Sequence, residues 1–196
     1  MTVAERATLR QVLRASTADI HQRLEQIPAF ERLLQGRASL ADYLALLRGY
    51  RRFYQLAQAH LDLGYLELAA LGSTLARKDV LYLLEQDLAA LGAPCEDVVA
   101  EAPPHAAASA AVGWVWVVEG SALGGKVIDR SLTQLLGKSG EGRRFFTPAA
   151  DMAVRWQGVC AVLERYGQHD ERRDAVMAGA LDAFACIEQS LMEATQ

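Results

Sequence analysis

Two groups of residues have the types and spacing for chemistry. The first is His21 with Glu25 four residues later. On a helix the two share a face, joined by Arg14, Thr17 and Leu24 at offsets of −7, −4 and +3 from the histidine. A metal-bound imidazole typically donates its second N–H to a carboxylate, carbonyl or water, and Glu25 is spaced to receive it. The plainer reading is a surface His/Glu contact of small value. The second group is the stretch 113–130, GWVWVVEGSALGGKVIDR. It has the length and hydrophobicity of a buried helix, yet Gly120, Gly124 and Gly125 interrupt it. An interior glycine costs a helix about 1 kcal/mol relative to alanine, so something must compensate for three. Gly120 and Gly124 share a face with Gly125 beside them. A second surface can approach the backbone there, either a neighbouring helix or a flat ligand. Gly120-Ser121 also predicts a local bend.

Other chemistries lack their residues. There is no HExxH, no second histidine at i+4, no phosphate loop, no dinucleotide fingerprint and no GxSxG. Glu-x-x-His, which a di-metal carboxylate bundle requires, is also missing. His60 lies late in a long helical segment, His105 in a proline-rich loop and His169 beside Asp170. Arg51-Arg52 and Arg143-Arg144 read as solvated faces. A net charge of −4 gives no basic field for nucleic acid. Cys95, Cys160 and Cys186 are far apart and odd in number, which argues against a disulfide framework and for a reducing cytoplasm. The N-terminus is charged and lacks the apolar core of a signal peptide. Residues 106–125 are long enough to span a membrane. They are rich in Ala, Gly and Ser and carry Glu119 inside, and the rest of the chain is patterned for water, so no span is expected.

The elements that must position these residues are all helical. Residues 2–26 read as one helix with Thr2 and Glu5 as a capping box and Leu9, Val12, Leu13, Ile20 and Leu24 as its apolar stripe. Residues 30–35 form a short helix or turn that Gly36 stops. Ser39 caps a long helix to about Leu61, with Gly64 and Gly72 as punctuation and a short helix over 65–71. Helices follow over 75–91, 106–136, 149–166 and 170–194, with loops at 93–105 and 137–148. No strand alternation or fixed-period repeat is visible. The chain is expected to be a single all-α domain, residues 1–196, of about seven or eight helices. Such a fold can clamp a planar cofactor between a helix that supplies an axial ligand and one whose backbone touches the cofactor face. Haem, whose iron accepts a histidine ligand, fits that description.

Residues 9–25, LRQVLRASTADIHQRLE, resemble the proximal helix of the haem oxygenase family. In that helix a Leu-x-x-x-Thr-x-x-x-His-x-x-x-Glu-like pattern carries the haem-ligating histidine. Leu13, Thr17, His21 and Glu25 stand at those positions. VVEGSALGG resembles the distal helix, with Gly120, Gly124 and Gly125 on the glycines that contact haem. LDAFACIEQSLMEA is similar to the last core helix, and Phe184 matches an aromatic residue lining the pocket. The VEGSALGG form is most similar to the bacterial branch, including enzymes that make biliverdin for bacteriophytochromes.

The resemblance implies a haem-oxygenase-like bundle that uses dioxygen to cleave haem to biliverdin, carbon monoxide and ferrous iron. Electrons would come from an external ferredoxin or NADPH-dependent reductase. It implies His21 as iron ligand, Glu25 and Thr17 beside it, distal glycines that steer attack onto a meso carbon, and Arg14 toward a propionate. Two departures accompany it. Animal-type members carry an aspartate after the first distal glycine, where it organises a water network. Ser121 stands there, and its hydroxyl can hold a water. The C-terminal basic positions align with Gln157 and Ala161, leaving Arg155 and Lys126 as nearby candidates for the propionates. Ser121 keeps open an alternative, a haem-binding or haem-transfer protein without turnover. In a third reading the glycines serve helix packing alone and no haem is bound.

Overall fold

The computed structural model describes residues 7–95 and 107–195, with the side chain of Lys126 outside the description. The expected Thr2/Glu5 capping box and His105 lie outside the described residues. The described residues form nine α-helices and no strand. In order they are α1 (Leu9–Ser16), α2 (Ala18–Glu25), α3 (Pro28–Leu34), α4 (Leu40–Ala70), α5 (Val80–Ala90), α6 (Ala108–Ser121), α7 (Gly125–Leu136), α8 (Met152–Tyr166) and α9 (Asp170–Ala194). A single 3-10 turn, Ala122–Gly124, joins α6 to α7.

The first expected helix is two. Thr8 caps α1 by accepting from Gln11 N at 3.2 Å, and the Gln11 side chain accepts from Thr8 N at 2.8 Å. The joint between α1 and α2 is Thr17, whose hydroxyl donates to Leu13 O at 2.8 Å. Such back-bonding competes with the ladder and bends a helix. Beyond Ser39, which caps through Asp42, α4 does not stop near Leu61 as expected. It runs through Gly64, and residues 65–70 are its last turns. Gly64 is a contact rather than a stop, because a Cβ there would lie 2.5 Å from Ala111 O on α6. Gly72, at φ +81°, ends the segment. The next helix starts at Val80, later than expected, where Asp79 accepts from Tyr82 N at 3.1 Å.

Helices α4, α6 and α9 pack pairwise, with glycine at each crossing. Gly49 on α4 faces the backbone of Ser190 and Leu191 on α9. Gly113 on α6 and Gly179 on α9 face each other's helices, and a Cβ on either would sit inside contact distance of a carbonyl oxygen, that of Val176 or Ala110. One apolar cluster around this trio draws on all nine helices. Most of the stretch that resembles a membrane span becomes α6, whose residues 111–117 and Glu119 are buried, and the helix packs on α4, α8 and α9. Among the described helices α9 alone is long and apolar enough to cross a membrane, and it packs on α1, α2, α4 and α6.

The loop over 137–148 is pinned rather than solvated. Buried Arg143 donates to Gly137 O and Thr133 Oγ1, each at 2.9 Å, and pairs with Asp129 at 2.5 Å. Asp87 is fully buried and accepts from Arg144 N and Phe145 N at 2.9 and 2.8 Å. Burial pushes its pKa up, against those two bonds. Phe145 and Phe146 pack against Tyr50, and a Cβ on Gly125 would lie 3.1 Å from Phe146 O. The loop thereby fixes where α7 begins. Arg51, also expected on a solvated face, is buried and pairs with Glu85 at 3.2 Å.

Candidate functional site

Helix α2 is held on α9 by Ile20 and Leu24, which point inward, and by a two-pronged Arg23–Glu188 pair at 2.7 and 3.0 Å. The opposite face carries His21, with 60% of its side chain exposed. Its Nδ1 lies 3.6 Å from Glu25 Oε1, close to but longer than a hydrogen bond. Its ring meets Phe184 of α9 edge-on, with centroids 6.0 Å apart. Nε2 forms no hydrogen bond to the described residues. The ring therefore has an aromatic edge on one side, a carboxylate near Nδ1, and Nε2 available to a ligand from outside. A metal held by this one imidazole must bring its remaining ligands, because no three His, Cys, Asp or Glu side chains converge among the described residues. Arg14, on α1, is exposed and forms no ion pair among the described residues. Thr17 does not join this face. It is buried, and its hydroxyl hydrogen is held by Leu13 O, so the expected cofactor contact is corrected to a helix joint.

The distal stretch changes from α-helix to 3-10 turn and back within a few residues. Its three glycines meet different surroundings. A Cβ on Gly120 would lie 3.2 to 3.3 Å from ring carbons of Trp156 on α8, and one on Gly125 would press on Phe146 O. A Cβ on Gly124 would meet nothing within 4 Å. Leu123 and Val127, beside it on the exposed side, are 42% and 57% exposed. The result is an apolar shelf with a bare backbone at its centre, a shape that fits a flat, largely apolar ring. Ser121 is exposed, and its hydroxyl donates to Val118 O at 2.9 Å. That donation uses its one hydrogen and leaves its oxygen as an acceptor.

Arg155 is the clearest correction. It is buried, its Nε donates to Glu119 Oε2 at 3.0 Å and its Nη1 to Ala76 O at 3.0 Å, while Nη2 bonds Glu119 Oε1. A guanidinium engaged on all sides by protein is no propionate anchor. Lys126 lies outside the described side chains. Sequence reasoning missed Trp156, Tyr65, Leu123 and Val127 as parts of this region. Glu119 did carry a signal, as the only charge in residues 106–125. Two surface concavities, of about 170 and 290 Å³, lie elsewhere, one between Leu33 and Leu135 and one at Arg48, Arg51 and Arg52. Neither touches His21 or the distal glycines.

The family model described as Heme oxygenase matches residues 7–193. A heme oxygenase of Xanthomonas campestris pv. campestris (strain 8004) is 30% identical over 151 residues, covering 77% of this chain and 89% of its own. Among solved structures, heme oxygenase from Neisseria meningitidis is similar at a TM-score of 0.75 and 22% identity, over 97% of this chain and 93% of that one. The enzyme from Leptospira interrogans gives 0.76 and 15%, over 95% and 100%. Heme oxygenase-1 of the cyanobacterium Synechocystis, in complex with heme, gives 0.70 and 16%, over 95% and 92%. At these identities the solved structures establish the shared all-α fold. The family model spans nearly every described residue, and the chain belongs to the heme oxygenase family of haem-degrading enzymes.

Proposed function

We propose that haem is bound between His21 and the bare distal backbone at Gly124, and that the residues named below hold it for cleavage. The observation that carries this reading is the open position at Gly124, flanked by exposed Leu123 and Val127. Haem, as substrate, supplies the iron that activates dioxygen and the porphyrin ring that is opened to biliverdin, carbon monoxide and ferrous iron.

The chain's own residues bind, orient and exclude. His21 presents Nε2 to the iron, with Phe184 fixing the ring edge and Glu25 drawing the Nδ1 proton. Leu123 and Val127 cover apolar ring surface and exclude water from it. Gly120 and Gly125 let the backbone stay close where Trp156 and Phe146 press from behind. Arg14 offers a charge to a propionate. Ser121 Oγ accepts a hydrogen bond from a water at the distal edge. A ferredoxin or NADPH-dependent reductase supplies electrons in the cytoplasm, and a bacteriophytochrome is a fitting recipient of the biliverdin.

The test is an optical titration with hemin followed by ascorbate in air. A saturable one-to-one Soret band that bleaches into a biliverdin band is expected. His21→Ala should lose the native-like spectrum and the turnover. Because the side chain is exposed, the substitution should leave folding stability within about 0.5 kcal/mol. Retention of both haem properties in His21→Ala would remove the ligand assignment.

A further inference from the structure

A buried ionic group sits one residue before Gly120. Glu119, Arg155 and Tyr65 are 8%, 7% and 9% exposed. One Glu119 oxygen accepts from Arg155 Nε at 3.0 Å, and the other accepts from both Arg155 Nη2 and the Tyr65 hydroxyl. Burial and the Glu119 carboxylate push the Tyr65 pKa well above the tyrosine range, so the phenol keeps the proton it donates. With Ala76 O on Arg155 Nη1, four segments meet at one carboxylate and one guanidinium: α4, the 73–79 connection, α6 and α8.

Stability alone is a poor reason for such a group. A buried ion pair is often no more stabilising than apolar residues of the same shape. What a planar, two-pronged pair adds is direction. Here the direction bears on the distal backbone. Glu119–Arg155 and Gly120–Trp156 are neighbouring rungs between α6 and α8, because the two residues of each helix are consecutive. Just beyond them α6 gives way to the 3-10 turn, a tighter coil with poorer hydrogen-bond geometry. Helix hydrogen bonding defines that turn poorly, so cross-ties to neighbouring helices must define it.

We propose that Glu119, Arg155 and Tyr65 are positioning residues that set the height and tilt of the Gly120–Gly124 backbone, and through it the fraction of haem that is opened cleanly to biliverdin. The proposal rests on the reading of Gly124 as the haem face. None of the three touches the substrate. They act through Gly120 and Trp156.

The test is the double substitution Glu119→Leu/Arg155→Met, which replaces the pair by apolar groups of similar volume. Two readouts are taken. In the haem-free protein, amide exchange at residues 120–125 should quicken by about tenfold, while amides at the α4, α6 and α9 crossings and the unfolding midpoint stay near wild type. In the hemin-loaded protein, hemin affinity should hold, while the yield of biliverdin per hemin consumed is lost to unspecific bleaching. Unchanged exchange over 120–125 in a folded double variant overturns the proposal. So does faster exchange with an unchanged biliverdin yield, since the ordering would then have no consequence for the reaction. If the double variant fails to fold, Glu119→Gln keeps the shape and is read by the same two measurements. A wild-type protein that binds no hemin would instead strike the haem-face reading, while the exchange comparison in haem-free protein would still report on the tie.

Discussion

Helix α6 uses glycine in two opposite ways. Near its middle, Gly113 is sealed against α9, where Gly179 answers it, and backbone lies on backbone. Just past its end, Gly124 faces open space between two exposed apolar side chains. The residue type is the same, but the first position is closed by the fold and the second is left for something outside it. A glycine says only that a side chain is absent. Its meaning comes from what approaches the gap, so a packing glycine and a ligand glycine read alike in sequence.

The comparison breaks first at the sealed pair. In Gly113→Ala or Gly179→Ala the new methyl group would meet carbonyl oxygens, which cannot rotate aside as a flexible side chain can. Overpacking of this kind costs about 1–3 kcal/mol. Alanine's better helix propensity returns no more than about 1 kcal/mol of that. Denaturant unfolding of the haem-free protein should therefore show a net loss. If both variants unfold at the wild-type midpoint, the crossing is looser than its geometry and the contrast with Gly124 disappears.

Gly124→Ala sharpens the same comparison with the opposite sign. Its φ of −73° and ψ of −14° suit any residue, and the new methyl group would touch no protein atom. Lower unfolded-chain entropy should then stabilise the haem-free protein by about 0.4–1 kcal/mol. The hemin and ascorbate assay should move the other way, with weaker hemin binding or less biliverdin, because the methyl group stands where the flat ring would lie. A stabilised variant with wild-type biliverdin formation would show that the haem face lies elsewhere on the molecule.

Signals that close within a few residues were legible in the sequence. Gly36 and Gly72 end helices at positive φ, Ser39 caps α4, and His21 and Glu25 do share an exposed face. Signals that close through space were not. Gly64 resembles a stop, and only the carbonyl of Ala111 on another helix makes it a contact. Glu119 stands out as a lone charge, but its partner is 36 residues away, and the same partnership removes Arg155 from the propionate site. Arg143 resembles a surface cation until Asp129 and two neighbouring oxygens are brought to it. The break in regular helix at the distal glycines was legible because it is local. Which of the three glycines stays open was not, because Trp156 and the 137–148 loop decide it.

The smallest effect belongs to a second pair that divides along the same line, the two helical histidines. His21 is exposed on the open face. His60 belongs to the sealed crossing, where it is buried and its ring stacks on Trp114 with centroids 4.4 Å apart, and its Nε2 has no hydrogen-bond partner. Burial lowers its pKa below the usual 6.5, and Asp182 opposes this more weakly. The unfolded chain therefore takes up the proton first as the pH falls. The stability gained from a neutral His60 is complete above the unfolded value and is lost as the pH drops through it toward the lower folded value. One such group changes stability by at most about 1.4 kcal/mol per pH unit. His60→Phe keeps an aromatic ring on Trp114 and removes both the titration and the orphaned nitrogen. Its unfolding midpoint should be flatter than wild type between about pH 7 and 5. An equal slope in both proteins would mean that His60 is proton-accessible in the folded state, and that the crossing admits water where the glycine contacts exclude it.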